Sequence, residues 1–329
     1  MWTRRHFLID ISAAAAAAGF PMLATAQTGQ ALETARVLCG FPAGGTTDAV
    51  SRRVADKLRP AYAKVVLVEN KPGAGGRLAV DELKRTNPDG STLLLTLASM
   101  ITLYPYVYRN MTYTADDVTP VCTAGMLVFG FGVGPGVPES VKTLKDFLAW
   151  AKTNPGLANY GSPAPGSAPH LLGALLAKES GVDLNHVPYK GSASGIQDLL
   201  GGQVAAFTSP IGDYLPYMKG GKLRLLATSG AQRTRLAPDV PTYAEQGFKP
   251  LSIGEWYGFF LPGKAAPSVV QRAATAIRAA VASPDVIEAF LQVGIEATAN
   301  TPAELSKAVN EEGAAWGSIV KRVGFTPEG

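Results

Sequence analysis

The residues with the clearest chemical purpose are small or hydroxylated, and they fall in two runs. The first, "GFPAGGTTDA" (40–49), sets Gly44, Gly45, Thr46 and Thr47 between an apolar strand-like stretch and a helix-like one. Glycine lets backbone N–H groups approach a ligand, hydroxyls add donors, and a helix N-terminus carries a field that favours negative charge. The second run, "NYGSPAPGSAPHLLGALL" (159–176), repeats the arrangement with Gly161, Ser162, Gly166 and Ser167 ahead of a helix. Ligands of open α/β sheets sit beyond the carboxyl ends of the strands, so two such turns predict a pair of anion-accepting jaws. Gly and Ser are ordinary turn residues, so neither run alone favours binding over plain connection; the pair does.

Residues for catalysis are harder to find. "GFFLPGKA" (258–265) approaches the nucleotide P-loop spacing, but Ala265 stands where Ser or Thr would hold Mg²⁺. Phe259, Phe260 and Leu261 also crowd the backbone that a phosphate needs. "GFGVGPG" (130–136) lacks the third glycine of a dinucleotide fingerprint. His170 and His186 fall in no metal-ligand spacing with Cys, Asp or Glu. "GSASG" (191–195) carries Ala193 at the centre of a would-be nucleophile elbow. A Ser167–His170 dyad lacks an evident orienting acid, which leaves a serine hydrolase as the enzymatic alternative. The set is one of donors rather than catalysts: no enzyme activity, no cofactor and no metal are expected.

These loops need strands and helices to hold them. "ARVLCGF" (35–41), "VVLVEN" (65–70) and "STLLLTLA" (91–98) read as strands, separated by amphipathic helices over 48–62 and "LAVDELKRT". That alternation implies a parallel sheet with right-handed crossovers. A second lobe of similar pattern follows. Its strands fall at 126–135, 157–162, 183–189, 204–209 and 222–230, with helices at 140–153, 170–181 and 194–202. Helices over 267–282 and 302–321 then return to the first lobe. The expected division is 27–124 plus 248–329 as lobe 1 and 125–247 as lobe 2.

Composition, 47% hydrophobic and 17% charged, is that of an ordinary globular protein. The 329 residues carry a formal charge of +4, without a basic, aromatic-interleaved footprint for nucleic acid. Residues 1–26 read as an export signal of twin-arginine type: Arg4-Arg5, then Phe7-Leu8, the alanine run 13–18, and small Ala24 and Ala26 before the cut. Ile9, where that motif often has Lys, keeps the general secretory route open. The two cysteines, Cys39 and Cys122, allow a bridge in an oxidising compartment, but sequence does not give their separation.

Over essentially its whole mature length the chain resembles the substrate-binding proteins of tripartite tricarboxylate transporters, the Bug-type family. The matching runs include "FPAGGTTDAVSRRVADKL", "VVLVENKPGAGG", "VPYKGSASGIQDLLGGQV" and "GKLRLLATSGAQRTRLAPDVPTYAEQG". The resemblance implies a periplasmic, two-lobed α/β Venus flytrap with two mixed, mostly parallel sheets, a hinge and a central cleft. It further implies a small carboxylate ligand and a membrane permease as partners, with a monomer expected; a sensor feeding a membrane kinase is the alternative. Carried over residue by residue, the ligand would be gripped by Phe41, Ala43, Gly44, Gly45, Thr46, Thr47 and Asp48 on one side. Ser162, Gly166 and Ser167 would grip from the other, with Tyr189 and Ser209 in the cleft. Asp48 has a plainer role as a helix cap, and Tyr189 as packing. "LASMITLYP" departs from the small polar residues usual in the family, putting Ser99, Met100 and Ile101 on the expected wall. Ser209 stands where an acid is common. These departures favour an aromatic or longer-chain carboxylate over citrate or an amino acid, unless Met100 and Ile101 simply pack beneath the loop.

Overall fold

The first strand-helix alternation forms as its apolar periodicity requires. A computed structural model describes residues 31–218 and 220–327; the export signal expected over residues 1–26 lies outside the described residues. Along the chain come β1 (Leu32–Cys39), α1 (Thr46–Leu58), β2 (Ala63–Asn70), α2 (Arg77–Lys84) and β3 (Thr92–Leu97). Two short helices follow, α3 (Ser99–Thr102) and α4 (Tyr104–Val107), then the long β4 (Val118–Val133). The middle of the chain is α5 (Leu144–Thr153), β5 (Asn159–Ser162), α6 (Ala168–Ser180), β6 (Asn185–Pro188) and α7 (Ser192–Leu200). It continues with β7 (Ala206–Pro210), α8 (Leu215–Met218) and β8 (Arg224–Thr228). The last part is β9 (Gly254–Pro262), α9 (Pro267–Val281), α10 (Pro284–Gln292), β10 (Glu296–Ala297) and α11 (Pro302–Val323).

The strands form one hydrogen-bonded path, β2-β1-β3-β9-β4-β7-β5-β6, with β8 and β10 also pairing β4. The two expected mixed sheets are present and share β4, so their strands run on as one path. The flanks are parallel, β1 with β2 and β3, and β5 with β6 and β7. The middle is antiparallel, because β9 lies between β3 and β4, and β4 meets β7, β8 and β10 in the same sense. Val37, Leu38, Cys39 and Leu93 to Leu95 are fully buried, the continuous apolar run of strands covered on both faces.

β4 is the joint of this arrangement. Val118–Val128 pairs with β9, and Phe129–Val133 pairs with β7, so one strand serves both halves of the path. Pro120 and Gly125 would normally end a strand; here register shifts fall between Pro120 and Cys122 and between Thr123 and Gly125, bulges that accommodate both. α9 packs on β4 and α1, while α11 touches α3 and α4 at one end of the sheet and α6 at the other. Thr301 and Glu304 cap α11 reciprocally, and Arg322 near its end ion-pairs with Glu179 of α6. Cys39 and Cys122 are buried free thiols, so the bridge left open by the sequence is not formed. Among the described residues no helix is long and apolar enough to cross a membrane, and no His/Cys/Asp/Glu cluster is placed to hold a metal.

Candidate ligand-binding site

The N-termini of α1, α6 and α7 open onto a single cavity of about 530 Å³. Phe41, Pro42, Gly45, Thr46 and Thr47 line it from the first loop, and Pro163, Ser167, Ala168 and Pro169 from the second. Gly191 and Ser192 bring a third helix start, two residues ahead of the expected 194, in the run weighed above only as a nucleophile elbow. Ser99, at the start of α3, completes the hydroxyl set. Each jaw bends through a left-handed glycine, Gly44 (φ 84°) and Gly166 (φ 66°), a conformation that a side chain would strain.

Behind the first jaw stands Asp48, 4% exposed, whose carboxylate accepts from Gly44 N, Arg52 Nε and Asn70 Nδ2, each at 2.9 Å. Burial pushes this group up, but the hydrogen bonds from Arg52, Gly44 and Asn70 outweigh it and hold it at about 2. Asp48 therefore shapes the loop from behind, in the capping role, and does not line the cavity. Ala43 and Gly44 are exposed and also lie off its wall.

Behind the second jaw is a pair of stacked imidazoles, His170 and His186, with centroids 3.7 Å apart. Gly166 N–H donates to His170 Nδ1 (3.0 Å), and Ser162 Oγ meets His186 Nε2 (2.8 Å). Burial lowers both rings to about 4, and His186 is lowered further by its neighbour, so both are neutral at pH 7. Ser162 and Gly166 thus brace the jaw without lining the cavity. Ser167 Oγ donates to Ala164 O (2.7 Å) and accepts from His170 main-chain N–H (3.4 Å), the geometry of an N-cap. With the His170 Nδ1 lone pair taken by Gly166, the Ser167 hydroxyl has no side-chain base beside it.

Three further expectations resolve differently. Met100 is fully buried and Ile101 is 3% exposed; both turn away from the cavity into the core beneath the loop. Thr96 Oγ1 donates to Met100 Sδ (2.6 Å), and α3 presents Ser99 to the cavity instead. Tyr189 donates to Asp198 Oδ2 (3.0 Å) and sits edge-on to Phe207, one layer back. Ser209 is buried, bonded to the Asp213 carboxylate and to Ser192 Oγ, so it supports the wall without forming it.

What the sequence reading missed is the floor. Side chains two apart on a strand share a face, and Leu127 and Phe129 of β4 lie beside Glu255 and Tyr257 of β9. Register pairs Leu127 with Glu255, and Tyr257 with Leu97 of β3. Val293 and Ile295 add apolar area. Two acids line this otherwise apolar space, Glu255 and Asp213, and among the described lining residues there is no Lys, Arg or His. Burial lifts the Glu255 carboxyl to about 8, with the Ser99 N–H (2.8 Å) pulling it down and Glu312 pushing it up. Burial also raises Asp213, against the Ser209 and Ser192 hydroxyls. An acid inside the apolar run "EWYGFF" was the available signal, since buried carboxyls are rare without a purpose. The arrangement can hold an anion at helix ends and hydroxyls while an apolar body rests on the floor.

Residues 50–325 match the family described as the tripartite tricarboxylate transporter family receptor. A UPF0065 protein in the gbd 5′ region of Cupriavidus necator is 34% identical over 297 residues, 89% of each chain. The structure of the periplasmic binding protein BugD is 29% identical with TM-score 0.75, covering 90% of this chain and 99% of that one. The structure of R. palustris Rpa4515 with adipate is 27% identical with TM-score 0.79, covering 90% and 98%. The fold is that of the two-lobed periplasmic binding proteins, and the chain belongs to the tripartite tricarboxylate transporter receptor family.

Proposed function

We propose that this protein is exported to the periplasm, captures a small carboxylate by closure of two lobes, and delivers it to a tripartite tricarboxylate-type permease. The lobes are residues 27–124 with 248–329, and 125–247, moving about β4; the ligand is held, not turned over. The observation that carries the reading is the convergence of three helix N-termini, each with a Thr or Ser hydroxyl, on one cavity with no basic side chain among its described lining residues. Those dipoles and N–H groups are where a carboxylate is stabilised without a cation. The apolar floor of Leu97, Leu127, Phe129 and Tyr257 favours a dicarboxylate with an unsubstituted chain or a ring, in keeping with the adipate in the R. palustris relative. Met100 no longer supports that preference; the floor does. Closure follows from differential affinity, since a ligand touching both jaws binds the closed form better.

A melting screen of mono- and dicarboxylates tests this, because a ligand of the native state raises Tm by mass action. Adipate is expected to stabilise more than citrate. Thr46→Ala should weaken binding tenfold or more, since a hydrogen bond to a charged group contributes about 1.5–3 kcal/mol, and Ser167→Ala should weaken it by releasing the Ala164 and His170 contacts that set the α6 N-terminus. Full affinity in both variants would misplace the site, and no response to any carboxylate would end the proposal.

A further inference from the structure

The two acids on the floor pose a problem for the function proposed above. An ionised carboxylate has no business facing an anionic ligand in a low-dielectric cavity with no cation. Among the described residues nothing basic bears on Glu255 to neutralise it. Glu312 approaches from α11, Tyr104 from α4, Tyr257 from its own strand, and Asp213 shares the cavity. Glu312 is itself occupied by the Trp256 indole N–H (2.7 and 2.9 Å).

The geometry of Glu255 offers a way out. The residue is 5% exposed and lines the cavity, and its Oε1 accepts the Ser99 main-chain N–H at 2.8 Å. That oxygen is fixed as an acceptor. The Ser99 hydroxyl also bears on this carboxyl, but among the described residues nothing other than Ser99 hydrogen-bonds to it, so a proton carried by this group belongs on Oε2, facing the cavity. Such an acid is a donor without charge. It can add to the hydroxyls of Thr46, Thr47 and Ser99 where a carboxylate oxygen needs partners.

We propose that Glu255 is a specificity-determining residue that meets the ligand carboxylate as the neutral acid, Oε1 held by Ser99 and Oε2–H donated to the ligand. This rests on the carboxylate-capture reading. The group selects against a cationic nitrogen at that end of the ligand, because the neutral acid offers it no charge. It also ties binding to proton occupancy: ionising Glu255 removes the donor and adds repulsion. A carboxyl raised to about 8 by burial stays protonated at pH 7 and is largely ionised at pH 9.

The experiment is calorimetric titration with adipate, and with 6-aminohexanoate as its amine-ended counterpart, at pH 6.5, 7, 8 and 9. Adipate is a dianion throughout, so the ligand adds no titration of its own. Wild-type affinity for adipate should fall about tenfold between pH 7 and 9, and adipate should bind more tightly than 6-aminohexanoate at pH 7. Glu255→Gln keeps a neutral donor and should bind adipate about tenfold more tightly than wild type at pH 9. A flat wild-type profile, a Glu255→Gln protein weaker than wild type at pH 9, or a preference for 6-aminohexanoate overturns the assignment while leaving capture intact. Failure of every carboxylate to bind at every pH overturns capture, and this inference with it. The wild-type profile and the ligand comparison need no variant to fold.

Discussion

The stacked histidines behind the second jaw make a prediction with a worked magnitude. Their folded values of about 4 lie below the ordinary 6.5, so between those limits the unfolded chain binds protons that the native protein refuses. The sign is then fixed: the stabilisation is complete above pH 6.5 and is lost as pH falls toward 4. Going from pH 7 to pH 5, one such ring contributes a loss of about 2 kcal/mol. His186 lies nearer solvent, where screening trims its share, so the pair together should cost about 2–3 kcal/mol. A proton on His170 Nδ1 would also displace the Gly166 N–H from its acceptor, so ligand affinity should weaken along with stability. Urea unfolding at pH 7 and pH 5 measures the first effect. Wild type is compared with His170→Gln/His186→Gln, which cannot titrate but retains polar partners for Gly166 and Ser162. Wild type should lose about 2–3 kcal/mol more than the double variant over that interval. Equal losses in the two proteins, or imidazole resonances titrating near 6.5 in the folded state, would refute the account.

Two further outcomes test the scaffold. Asp48→Asn breaks the carboxylate that ties Gly44, Arg52 and Asn70 together; with Arg52 half exposed, urea unfolding should show a loss of about 1–2 kcal/mol. In the wild type the same contribution is present above pH 3.8 and disappears as pH falls through about 2. Thiol titration should find Cys39 and Cys122 inert in the native protein and both reactive after unfolding. Burial raises both thiols, Cys122 to about 12, so an oxidised pair in the native protein would contradict the fold.

Where the sequence was legible, physical pattern was strong. The apolar runs of β1 and β3 announce doubly covered strands, and the Gly-Thr and Gly-Ser turns announce jaws because backbone access leaves a compositional trace. Directions of side chains leave no such trace. Met100 follows Ser99 by one position, yet a single turn of α3 sends one to the core and the other to the cavity. β4 begins eight residues ahead of the strand expected from 126; Pro120 and Gly125 look like breakers, and only their pairing partner β9, more than a hundred residues away, reveals the bulges that absorb them. The floor was invisible for the same reason: Leu97, Leu127 and Tyr257 come from three separated segments, and register alone makes them neighbours.

β4 also limits how this receptor can be recombined. A crossover between relatives at position 125 would fall inside the strand, at Gly125, where the ladder to Tyr257 is still running. Grafting the later segment from another receptor would replace half a strand while keeping its partner, and the bulges that set register would come from mismatched parents. Exchanges that carry β4 and β9 together keep the ladder whole. New ligand preferences in this architecture are therefore better sought at the loop tips and on the floor than by swapping halves.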